Sequence, residues 1–182
     1  MPLYQNSSVS DAKIEIGNYA IYVGTAGATA TAITINLGAG MVKSFKYEPT
    51  MFTCQAGNAP DPIQGVARET AVIEMDLIEY DGSAFSALSN GIMASTTGGS
   101  VLTVGGQVSS INGVGLKLVN TRKLSNGSTQ TTTYVLNRAF LNGGWSCSPK
   151  SDNDADPISV YSFSMLCKQY ATAQTLFTKT IA

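Results

Sequence analysis

Histidine is absent from all 182 residues. With it go the commonest general base, the commonest nitrogen ligand for metals and any Ser–His or Cys–His nucleophile pair. Charge is scarce too: Asp, Glu, Lys and Arg make up 13% of the chain, against about 25% in an ordinary soluble domain. The net charge of −1 and a pI near 5.3 leave no basic footprint for specific nucleic-acid binding, which displaces counterions with clustered Lys and Arg. Lys43, Lys46, Lys117, Arg122, Lys123 and Arg138 are dispersed, with aromatic neighbours only around Phe45, Lys46 and Tyr47, a poor stacking platform for single strands.

The three cysteines, Cys54, Cys147 and Cys167, are odd in number, far apart and without CxxC spacing. Neither a disulfide framework nor a zinc site is indicated, and three buried free thiols are expected. The amino terminus has no basic segment followed by an apolar one, so no secretory signal is read there and folding in a cytoplasm is expected. No apolar run approaches the roughly 18 residues of a membrane span. Trp145 is the single tryptophan.

What the chain does contain is short alternating segments separated by Gly, Asn, Pro and Asp, the pattern of an all-β sandwich or barrel. The expected strands cover 12–24, 31–38 with Ile33, Ile35 and Leu37 on one face, 40–55, a segment starting near Val66, 113–124, 129–141, 157–169 and 173–182. Asn126-Gly127 signals a hairpin between the fifth and sixth of these. Gly-rich 95–107 reads as an edge hairpin or loop. A single helix is expected over 84–90, with Ser83 placed to cap it, Phe85 and Leu88 to pack it and Gly91 to end it. The length fits one domain over 1–182, with a polar arm at 1–11 and a long Pro/Gly-rich inter-strand loop at 48–66.

Four carboxylates crowd into "TAVIEMDLIEYDGSAF" (70–85). In an extended strand Ile73, Met75 and Leu77 share one face, the core face, and Glu74 with Asp76 share the other. The two acids stand about 7 Å apart, twice the ~3.3 Å rise per residue. That falls in the range of glycosidase carboxylates, yet side by side, not opposed across a cleft. A solvated strand face, or one turned to the interior of an assembly, fits better than catalysis. Asp152, Asp154 and Asp156 alternate like the first ligands of a calcium loop, but Pro157 and Phe163 stand where the loop needs Gly and Glu. A polar turn before a strand is the simpler reading. "GAGMVK" and "GVGLKL" lack the spacing of phosphate-binding loops, and their glycines read as strand ends. No catalytic, metal or cofactor-binding residues are assigned.

What remains is a weakly charged β protein with polar arms and a long excursion between two strands, features of a subunit that joins copies of itself, since exposed sheet edges must be paired or covered. The order of elements resembles the tail tube (major tail) proteins of tailed bacteriophages, which share a fold with the tube proteins of contractile injection systems. The resemblance is carried by "GNYAIYVGTAG" followed by "LGAGMVKSFKYEPTMF", by "CQAGNAPDPIQGVARETAVIEMDLIEYDGSAFSAL", and by the ending "DNDADPISVYSFSMLCKQYATAQTLFTKTIA". It implies two antiparallel sheets packed as a sandwich or barrel with one flanking helix. It further implies hexameric rings stacked into a hollow tube in the virion tail, meeting other tail proteins at its ends and passing double-stranded DNA without holding it. The loop carrying Pro49, Met51, Phe52, Pro60, Pro62 and Ile63 would then bridge subunits, and Glu74 and Asp76 would face the lumen, where carboxylates repel phosphates. A head decoration protein is the nearest alternative; a carbohydrate-binding adhesin and an enzyme fit less well.

Overall fold

The computed structural model describes residues 17–54, 57, 63–78, 94–97, 101–104, 113–148, 160–170 and 175–182. They form nine strands: β1 (Asn18–Thr25), β2 (Ile35–Cys54), β3 (Ile63–Leu77), β4 (Ala94–Thr97), β5 (Val101–Val104), β6 (Val114–Lys123), β7 (Thr129–Ser148), β8 (Val160–Cys167) and β9 (Phe177–Ile181). The fold is all-β. The expected helix at 84–90, the arm at 1–11, and Asp152, Asp154 and Asp156 lie outside the described residues.

One antiparallel sheet runs β6-β1-β2-β3-β8-β7, and the pairing of β6 with β7 closes it into a six-stranded barrel. Sequence pattern leaves sandwich and barrel open; here the opposed walls of a barrel take the place of two packed sheets. Closure follows from length. β7 is long enough to pair β6 over Thr129–Ala139 and then β8 over Ala139–Ser148. β9 continues the line of β8 along the same edge of β7, from Leu136↔Phe177 to Thr132↔Ile181. β4 and β5 form a separate hairpin within the Gly-rich segment.

Inward positions alternate as the strand period requires: Ile21 and Val23, Ile73, Met75 and Leu77, Leu116 and Leu118, and Phe163, Met165 and Cys167 are all buried. Each such aliphatic side chain contributes about 1.5–3 kcal/mol by leaving water. Gly40 is buried at the centre of this wall, where a Cβ would meet the Asp76 carbonyl and lie 2.7 Å from Ile21 Cδ1. It is thus a close-approach residue inside β2, not the strand end expected of it.

Other expectations are corrected by local geometry. Ile33 and Leu37 are buried but Ile35 is 44% exposed: Ile33 ends a turn in which its N–H and that of Ala32 donate to Thr29 O, and the β1–β2 ladder skips Leu37 at a bulge between Asn36 and Gly38. β7 runs on to Ser148, past the expected end at 141, by absorbing Asn142, Gly143 and Gly144 as a bulge opposite Ser164; Gly143 supplies a positive φ of 89°. Of the three thiols only Cys167 is buried. Cys54 and Cys147 sit near strand ends beyond the barrel core, where alternation no longer implies burial. The Asn126-Gly127 hairpin is present: Leu124 N–H donates to Ser128 O, Gly127 N–H to Leu124 O, and Gly127 has φ 82°.

Candidate assembly surface

The expected loop at 48–66 is largely a paired ribbon. Beyond Tyr47↔Ala71, β2 and β3 leave the barrel together and stay in register through Glu48↔Thr70 to Cys54↔Ile63, with a bulge between Thr50 and Met51. Pro49 is tolerated because every other amide of a two-stranded ribbon points away from the partner strand. Glycines and prolines near 56–65 signal the turn, while "YEPTMFTC" and "VARETA" already carry strand-forming residues on both sides of it.

This arm is unusual in what it leaves uncovered. Met51 is 57% exposed and pairs with Val66 at 48%. Tyr47 and Phe52 are also exposed, and the Phe52 ring lies over Gly65, where a Cβ would fall 2.7 Å from it. By register, Tyr47, Pro49, Met51 and Val66 occupy the same side of the ribbon as Ala71 and Phe45, so the inner face of the barrel continues onto the arm as a mainly apolar strip interrupted by Glu69, the partner of Pro49. At the arm's base an aromatic cluster joins the two: Phe45 stacks edge-on to Phe177 at 4.5 Å and lies 5.8 Å from Tyr134, which meets Tyr19 at 6.0 Å. At the arm's base Lys46 pairs with Glu48 at 2.7 Å; the hydrogen bond that the ammonium donates to this carboxylate pushes it up from its ordinary range. Tyr47 Oη donates to Glu69 Oε1, and this bond likewise raises the phenol.

Of the residues expected to bridge subunits, Pro49, Met51 and Phe52 lie exposed on the arm. Ile63 opens β3 opposite Cys54; Pro60 and Pro62 lie outside the described residues.

The two acids share the outer face of β3 as expected, but their surroundings differ. Asp76 is only 8% exposed. It accepts a 2.6 Å hydrogen bond from Ser162 Oγ and forms a 2.8 Å ion pair with Lys43 Nζ. Glu74 is exposed and accepts from Ser44 Oγ at 3.0 Å. Register extends both rows across the wall: Glu74 faces Ser164, which Asn142 Nδ2 approaches at 3.4 Å, and Ser162 faces Ser146. An open groove lined by Lys43, Glu74, Asp76, Gly144, Trp145 and Ser162 runs over this surface. Lys43 is the residue sequence reasoning missed; a bulge between Val42 and Ser44 brings it onto the Asp76 row, and no local sequence signal marks that bulge. Among the described residues, no three Cys, Asp or Glu side chains converge as a metal-binding group. Small hydroxyls, the paired Lys43 and Asp76, and the exposed Glu74 make this a polar, grooved wall.

No protein-family model and no curated protein matches the sequence. Among solved structures, a chain of the PVC sheath-tube complex, an extracellular contractile injection system in its extended state, aligns over 100% of this chain and 99% of its own at 9% identity and a TM-score of 0.47. A chain of the anti-feeding prophage tube-terminating cap aligns over 99% of this chain and 100% of its own at 7% identity and a TM-score of 0.45. An Hcp protein gives 10% identity and a TM-score of 0.38 over 91% of this chain and 98% of its own.

Proposed function

We propose that this chain is a structural subunit whose copies join into hexameric rings, stacked as the hollow tail tube of a virion. Other tail proteins meet the tube's ends, double-stranded DNA passes through it, and no reaction is catalysed. The observation that carries this reading is the β2–β3 arm: a ribbon whose mainly apolar face continues the barrel interior, with Met51 and Val66 left uncovered among the described residues. A soluble monomer gains nothing from such a face, whereas a neighbouring copy would bury it and pair the ribbon's open edges at once. The resemblance in element order to tail tube proteins supports the ring and tube geometry. The polar wall bearing Glu74 supports the lumen assignment, because hydroxyls and an exposed carboxylate line it and the cation it carries, Lys43, is already paired with Asp76, which leaves phosphates little to condense on.

Electron microscopy of the concentrated full chain tests the proposal. Rings or tubes with an open channel are the expected result. Monomers or compact trimers at all concentrations would overturn it and favour a head decoration protein.

A further inference from the structure

The backbone ladder between β3 and β8 ends at Ala71↔Cys167. Beyond it the strands part: β3 goes out with the arm, while Lys168 N–H donates to Arg138 O and holds the end of β8 to β7. Had the ladder continued, its next pair on the same face would be Glu69 with Gln169. Their side chains meet there instead, Gln169 Nε2 donating to Glu69 Oε2 at 3.3 Å. The other oxygen of that carboxylate takes the Tyr47 hydroxyl from the second strand of the arm.

One carboxylate therefore bridges both strands of the arm and the wall it departs from. Its side-chain hydrogen bond with Gln169 leaves the arm for another part of the sheet, whereas Thr70 Oγ1 to Glu48 O and the Lys46–Glu48 pair do not. A two-stranded ribbon is a poor cantilever by itself, since isolated hairpins are marginal in water. Its direction is set at the fork.

We propose that Glu69, through Tyr47 and Gln169, is a latch that fixes the angle at which the arm leaves the barrel in the free subunit. Its value for assembly rests on the self-association reading above: a pre-aimed arm loses less freedom on docking. The latch itself is a property of the monomer.

The chain carries its own probes, since Cys54 on the arm and Cys147 on the barrel wall are exposed while Cys167 is buried. Spin labels on the two exposed thiols, measured by pulsed electron resonance on dilute monomer, report the arm's angle as a distance distribution. Glu69→Ala and Gln169→Ala should each broaden it, with the latched population falling about fivefold relative to the open one, the change expected on losing one ordinary, solvent-exposed hydrogen bond between arm and wall. Glu69→Gln, which keeps an acceptor for Tyr47 and an amide for Gln169, should preserve most of the narrow distribution. Melting temperatures should stay near that of the unsubstituted chain. An unchanged distribution in both alanine variants overturns the latch, and so does a large drop in melting temperature in Gln169→Ala, which would make the contact part of the barrel's general stability. Neither outcome depends on whether rings form, so failure of the latch and failure of the tube are read separately.

Discussion

Cys167 sits at the last backbone pair of β3 with β8, opposite Ala71 on one side and Ala139 on the other, with no exposed surface. Burial pushes its thiol from an ordinary value near 9 up to about 12, because the thiolate has no solvent or counter-charge there. The unfolded chain releases this proton above about pH 9 while the folded chain keeps it, so the contribution is complete below about pH 9 and is lost as pH climbs toward about 12. Between about pH 9 and pH 10.5 the loss amounts to at most about 2 kcal/mol. Denaturant midpoints at those two pH values should fall more steeply for the unsubstituted chain than for Cys167→Ala; equal slopes would show that the thiol does not ionise on unfolding. In the native state at neutral pH, a thiol reagent should modify Cys54 and Cys147 and spare Cys167. Alternation in "VYSFSMLC" foretells an inward Cys167. The same reasoning fails for Cys54 and Cys147 because a residue's parity says which side it takes, and only the tertiary structure says whether that side is covered.

At the scale of the element, the long strands explain both what can be read in the sequence and what cannot. The split of β3 into Ile73, Met75 and Leu77 inside and Glu74 and Asp76 outside is legible because period-2 alternation is a local property of one strand. The arm was hidden for the converse reason: strand-forming residues around a Pro/Gly-rich turn say that a hairpin exists, but not that the other walls stop short of it. β7's bulge is equally illegible, since Asn142, Gly143 and Gly144 read locally as a chain reversal and are held as a detour by β8 on their flank. The arm yields a direct test. Replacing the exposed cross-strand pair as Met51→Lys with Val66→Glu removes apolar surface while keeping an attractive pair across the ribbon. In the free subunit such a surface change should alter stability by no more than about 0.5 kcal/mol, seen as an unshifted melting curve. In concentrated protein it should abolish rings and tubes under the microscope, because the docking face then carries two further charges, in place of its apolar pair, that a neighbour would have to desolvate. Normal tubes from this variant would remove the arm's apolar face from the assembly argument.

For the whole molecule the open question is which side of the barrel wall meets the channel, and the two acids of β3 separate the issues of folding and transit. Asp76 is committed to the fold: replacing it with Lys would set a second cation beside Lys43 in a spot 8% exposed and strip Ser162 of its acceptor. A cost of at least about 2 kcal/mol is expected, visible as a lowered melting temperature before any question of DNA arises. Glu74 has only Ser44 to lose, and its exposed carboxylate is the free charge of the row. Glu74→Lys should therefore fold and assemble as before. If this wall lines the channel, every subunit of every ring would then present a cation to the phosphates, and the tubes should retain double-stranded DNA at low salt and release it as salt rises, the signature of counterion displacement. Tubes without the substitution should retain none. Should the DNA held by Glu74→Lys tubes be open to nuclease, this wall faces outward, and the lumen must be sought on another stretch of the sheet.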